Sequence, residues 1–112
     1  MREGLIILPQ ADNSGNSLET LGNDLAASIG RAFGGCTVTE ARGIWVDHGE
    51  VYDEPVWQFT VAYSPSDEND RQLRRLAQSY GLAAKQLSIY VRLAGGSVEI
   101  IDLQELREQA AA

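Results

Sequence analysis

The sequence predicts an α+β fold, a ferredoxin-like βαββαβ two-layer sandwich with an antiparallel sheet and an extra C-terminal strand. Three observations carry that prediction. Two segments repeat apolar residues at helical spacing: Leu18, Leu21, Leu25, Ile29 and Ala32, and then Leu73, Leu76, Ala77 and Tyr80. Segments of strand character precede, separate and follow them. Glycine, proline and small polar residues punctuate the joins, and that element order is the split βαβ arrangement. The 112 residues suit one domain, 1–112, long enough to build a core without disulfide or metal staples.

The elements follow in order. Leu5-Ile6-Ile7-Leu8, stopped by Pro9, is apolar at every position, as in a strand with both faces covered. Gln10 to Asn16 is a loop of turn formers. A helix is expected from about Asn16 or Ser17, with Asn16 and Glu19 as a capping box and Gly34-Gly35 as its stop. Cys36 to Val46 reads as a strand with a bulge or bend at Gly43. Asp47 to Glu54 is expected as the turn region and Pro55 to Tyr63 as the returning strand, with Trp57, Phe59, Val61 and Tyr63 on one face. Ser66 or Asp67 caps the second helix, which Gly81 is expected to close. Leu87, Ile89, Val91 and Leu93 alternate as a strand, Gly95-Gly96 turns the chain, and Val98 to Asp102 returns. Leu103 to Gln109 is a short helix, with Ala110 to Ala112 expected to fray.

Two helices cover only one face of such a sheet. The first and third strands are nevertheless apolar on both faces, and an uncovered apolar face is a ready interface. A homo-oligomer, dimer or trimer, formed partly through the sheet is therefore expected.

Sixteen acids against nine bases give a net charge of −7, which disfavours direct nucleic-acid binding. Between Gly43 and Asp70 there are seven acids and no lysine or arginine. Such a face keeps a small protein soluble, or it imitates nucleic acid toward a basic host protein. One cysteine excludes an internal disulfide. The apolar run in MREGLIILPQ is too short for a signal peptide or a spanning helix, so the expected location is cytoplasmic (host cytoplasm if phage-encoded), with no membrane partner.

The candidate chemistry is sparse. Arg71, Arg74 and Arg75 resemble a phosphate clamp but fall opposite the apolar helix stripe, where solvated charges belong. Asp47, His48, Glu50, Asp53 and Glu54 lack a calcium-loop pattern, and one histidine is too few for a typical zinc site. Cys36 and His48 stand at opposite ends of one strand, too far apart for a nucleophile and its base. No metal or cofactor and no catalytic residue is assigned. The remaining constellation is Arg42, Trp45, Tyr52, Glu54 and Trp57, all on one hairpin. An aromatic wall beside a cation and a carboxylate can stack and orient a nucleobase-like ring, and these five are the expected ligand-binding residues. The function read from them is a non-catalytic, oligomeric binding module that sequesters a nucleotide-like ligand or docks on a host factor.

Phe33-Gly34-Gly35, Thr37-Val38-Thr39, Arg42-Gly43, Trp45, Asp47 and Glu54-Pro55 resemble a pattern of small uncharacterised bacterial and bacteriophage proteins. Leu8-Pro9 with Asp12-Asn13 and Gly15 is similar to the phage versions. The resemblance spans about Leu5 to Asp102 and implies a ferredoxin-like fold and a phage accessory role. A weaker resemblance, in element order, is to phage S-adenosylmethionine lyases. It implies a small oligomeric enzyme with its ligand site between subunits and no need of a metal. In such an enzyme the substrate's own carboxylate expels methylthioadenosine, and Tyr52 and Glu54 would orient the substrate.

Overall fold

The computed structural model describes residues 1–111. Five strands and three helices follow one another as β1 (Arg2–Pro9), α1 (Glu19–Phe33), β2 (Thr37–Asp47), β3 (Glu50–Tyr63), α2 (Asp67–Ala83), β4 (Ser88–Arg92), β5 (Val98–Asp102) and α3 (Leu103–Ala111). The strands form one antiparallel sheet in the order β2-β3-β1-β4-β5. This is the ferredoxin-like arrangement with the extra strand added beside β4. The expected fraying falls in part on Ala112, outside the described residues; Ala110 and Ala111 are helical.

One apolar cluster holds the two layers together. Ile6 and Leu8 of β1, Phe59, Val61 and Tyr63 of β3, and Ile89 and Val91 of β4 meet Leu25 and Ile29 of α1, Leu73 and Ala77 of α2, and Leu103 of α3. All three helices therefore contribute to the same side of the sheet. The period of two puts Leu5, Ile7 and Val56 on the other side. No helix packs there, yet Leu5 and Val56 are buried among their strand neighbours.

Several local expectations are corrected. Asn16 does not cap α1, because its amide and side chain are bound to the Asp12 carboxylate in a tight loop, at 2.9 and 3.1 Å. The helix starts at Glu19, and Ser17 Oγ accepts the Glu19 N–H at 3.2 Å. Gly43 makes no bulge: the β2–β3 ladder runs in unbroken register from Thr37 opposite Thr60 to Asp47 opposite Glu50. A side chain at Gly43 would instead meet Val56 Cγ1 at 3.1 Å, so close packing is what the glycine permits. Gly81 lies inside α2, where a Cβ would come within 2.6 Å of Leu103 Cδ1. The helix continues to Ala83, and the chain turns at Lys85 with a φ of 59°. Leu87, expected to alternate inward with Ile89 and Val91, is exposed just ahead of β4.

The largest revision is at the hairpin tip. Asp47 to Glu54 is not a loop. Only His48 and Gly49 turn the chain, with φ of 50° and 79°. Positive φ at both central residues is a type I′ turn, whose twist suits the flanking strands. The strands consequently extend to the tip. Since β1 pairs with β3 only as far as Val56, the tip is a two-stranded ribbon standing beyond the body of the sheet.

Candidate functional site

The ribbon has two faces, set by the pleat. On one face Trp45 is opposite Tyr52 and Gly43 is opposite Glu54. The Trp45 and Tyr52 rings stack, with centroids 5.4 Å apart and planes 12° apart. Tyr52 Oη donates to Glu50 Oε2 at 3.1 Å, which keeps the phenol protonated and raises its pKa. On the opposite face Arg42 forms a bidentate pair with Asp53 through Nε and Nη2. That pair raises the arginine and lowers the aspartate, although both side chains are exposed.

Between the ribbon and the body lies an open cleft of about 570 Å³. Trp45, Asp47, Tyr52, Asp53 and Glu54 form the hairpin side of it. Asp12 and Asn13, from the loop after β1, and Gln86, Leu87 and Ser88, at the start of β4, form the rest. The four charged residues of this lining are all acids: Asp12, Asp47, Asp53 and Glu54. Asp12 is held low by hydrogen bonds from Asn16. Burial pushes Glu54 up, and it has no ion-pair partner among the described residues. Glu54 is thus a partly buried carboxyl with no cation beside it among the described residues.

Of the five residues expected from sequence, the cleft brings together Trp45, Tyr52 and Glu54. Arg42 is turned to the other face of the ribbon, onto Asp53. Trp57 points into the helix side, where a Cβ at Gly22 of α1 would meet its ring at 2.8 Å. It lines a separate cleft of about 320 Å³ with Gln10, Glu19 and Glu40. The odd numbers of Trp45 and Trp57 suggest a shared face. However, Trp57 lies opposite Glu40, and the even-numbered residues of β2 share the helix side. Sequence reasoning missed Asp12 and Gln86 to Ser88, because loop residues carry no periodicity to say which way they turn.

The other clusters separate. Cys36 is half-buried with Sγ 3.6 Å from the Ala26 carbonyl oxygen, and burial raises its thiol. His48 is at the exposed tip beside Asp47. Arg74 does not lie on a solvated face: it clamps Glu99 of β5 through Nε and Nη2 at 2.7–3.1 Å. Arg71 and Arg75 remain exposed. Among the described residues no group of three or more His, Cys, Asp or Glu is placed to hold a metal ion. No helix among them is long and apolar enough to cross a membrane.

Fold and cleft together define a ferredoxin-like α+β chain with an aromatic, acid-lined recess under a projecting hairpin. No protein-family model matches the chain, and none of the curated proteins matches it. Solved structures do share its fold. A phage SAM lyase in the apo state superposes with a TM-score of 0.68 at 19% identity, over 89% of this chain and 87% of that one. A phage SAM lyase in complex with S-methyl-5′-thioadenosine superposes with a TM-score of 0.67 at 18% identity, over 89% and 88%. At that identity the likeness is one of fold.

Proposed function

We propose that this chain binds S-adenosylmethionine, or a close adenosyl sulfonium, in the cleft under the β2–β3 hairpin and cleaves it as a lyase. One observation carries the reading: a stacked Trp45–Tyr52 pair borders a recess whose charged residues are all carboxylates, of which Asp53 is paired with Arg42 and Asp12, Asp47 and Glu54 are not. Aromatic faces attract cations and stack on planar rings. Carboxylates in a partly desolvated recess favour a positive ligand and repel phosphates. A sulfonium joined to a purine has both features, whereas a nucleoside triphosphate has the wrong charge. The fold shared with phage SAM lyases, one of them holding S-methyl-5′-thioadenosine, supports the same reading.

The chemistry asks little of the protein. A carboxylate oxygen of the substrate attacks its own Cγ, the Cγ–S bond breaks, and the electron pair goes to sulfur. The products are neutral methylthioadenosine and a lactone, with no proton or co-reactant consumed. The protein has to fold the methionine chain back on itself and present a dry, oriented sulfonium. Glu54 and the Tyr52 hydroxyl are the polar groups available for holding the amino-acid end. The Trp45–Tyr52 stack is available for the ring.

Incubation with S-adenosylmethionine followed by chromatography for methylthioadenosine tests the lyase. Calorimetry with the same ligand separates the second reading, a binding module that sequesters the ligand unchanged. That reading rests on the same stacked pair and carboxylates and differs only in having no turnover. Heat of binding without methylthioadenosine would select it, and no heat of binding would remove both.

A further inference from the structure

The outer edge of the sheet at β2 has no partner among the described residues, and it is long: the strand runs from Thr37 to Asp47 without a proline or bulge. Long, flat edge strands with free backbone groups invite pairing unless something blunts them. On the helix side of this edge the side chains read Val38, Glu40, Arg42, Ile44. Val38 is 45% exposed and Ile44 60% exposed, as Val98 and Ile100 are, at 50% and 70%, on the shorter edge strand β5. Turned end for end about Ala41, that series is its own complement. Val38 meets Ile44, and Glu40 meets Arg42.

We propose that a second copy of this chain pairs antiparallel with β2, about a two-fold axis through Ala41, joining the two five-stranded sheets into one. The interface is isologous, so each favourable pair occurs twice. Glu40 of one copy opposes Arg42 of the other, and Val38 opposes Ile44. Directly opposed residues are the pairs that stabilise antiparallel sheets. Ala41 meets its own counterpart on the axis, and its small side chain sets no bulk or charge against itself there. Arg42 can serve both partners, since Asp53 engages only Nε and Nη2 and leaves Nη1 free to reach outward. Glu40 has only a long 3.4 Å contact from Gln10 to give up.

The register is selected against its neighbours. Sliding two residues one way sets Glu40 against Glu40, and two residues the other way sets Arg42 against Arg42. A one-residue slip turns the apolar pair to opposite faces. The inference is independent of what the cleft binds.

Sedimentation velocity or light scattering tests it. The unmodified chain is expected as a dimer. Glu40→Arg sets like charges together twice and should weaken the dimer roughly tenfold or more. Arg42→Glu should do the same. An equimolar mixture of the two single variants should reassociate, because in the mixed dimer both charge pairs are opposite in sign. Since Arg42→Glu also removes the Asp53 pair, a second measurement stands apart from it. In a Cys36→Ser background, Ala41→Cys should oxidise to a covalent dimer, because residues on the axis sit about 4.5–5.5 Å apart at Cα, within disulfide range. Val38→Cys, which faces Ile44 and not itself, should not. A monomeric or trimeric unmodified chain, an undisturbed Glu40→Arg dimer, a mixture that stays apart, or absent Ala41→Cys cross-linking would each overturn the proposal.

Discussion

Trp45 and Tyr52 stand directly opposite each other across the β2–β3 ladder, and their rings stack at 5.4 Å. The pair sits on a ribbon that β1 does not reach, so two strands alone must keep it in register. A cross-strand aromatic pair is one of the few interactions strong enough to help such a ribbon. It also faces the acid-lined cleft. The residues that stiffen the hairpin are therefore the residues a ligand would touch.

Fluorescence distinguishes the two tryptophans. Trp45 borders the cleft and Trp57 lies against Gly22. Titration with S-adenosylmethionine should change the emission of the intact chain and of Trp57→Phe, but not that of Trp45→Phe. Tyr52→Ala should lower affinity roughly tenfold, the scale of one lost aromatic contact.

Glu54 gives a pH signature. Burial raises its carboxyl above the ordinary glutamate value. Its contribution to folding is thus most favourable in acid and is lost as pH rises through the raised value, where a buried charge must form. Glu54→Gln should raise the melting temperature slightly at neutral pH. The same substitution should weaken sulfonium binding and flatten the rise of affinity with pH expected of the intact chain. Parallel melting and calorimetry across mildly acidic to neutral pH check both signs.

Tyr63 ties three elements together. Its hydroxyl donates to Asp70 Oδ1 of α2 at 2.8 Å and accepts the Ala94 N–H, beyond β4, at 2.9 Å. Tyr63→Phe leaves the buried amide of Ala94 without that acceptor, at a cost of about 1–3 kcal/mol, measurable by urea unfolding. Burial pushes this phenol from 10.0 up to about 12. A raised folded value means its contribution is whole below 10.0 and lost as pH climbs toward about 12. The Phe variant should show a shallower alkaline loss of stability over that interval.

Arg74 and Glu99 fasten β5 to α2. The arginine lowers the Glu99 carboxyl, so the stability it contributes is present above the ordinary glutamate range and lost as pH falls through the lowered value. Both side chains are about one-third exposed, at 33% and 34%, and solvent screens the pair. Glu99→Gln should cost about 1 kcal/mol at neutral pH and little in acid. Hydrogen exchange should quicken in β5 before it quickens in β1.

Gly22 reports the structural role of Trp57. A methyl there falls 2.8 Å from the indole ring, and Gly22→Ala should destabilise by about 1–3 kcal/mol through overpacking. Affinity at the cleft should be unaffected, since Trp57 lies on the other side of the sheet.

The sequence by itself determined the order of elements and the apolar faces. Helical spacing in α1 and α2 and strict alternation in β3 and β4 are local patterns that the backbone geometry converts directly into structure. It also named Arg42, Trp45, Tyr52, Glu54 and Trp57 as candidates on one hairpin, as an aromatic wall beside a cation and a carboxylate, and the cleft is lined by three of them, Trp45, Tyr52 and Glu54. Tertiary structure decided where those side chains point. A turn of two residues at His48 and Gly49, in place of a longer loop, fixed the register, and register sets Trp45 beside Tyr52 while sending Arg42 and Trp57 to the other face. Asp12 and the Gln86–Ser88 segment reach the cleft only because β1 and β4 end next to the ribbon. That proximity joins residues more than thirty positions apart, and no local pattern in the chain encodes it.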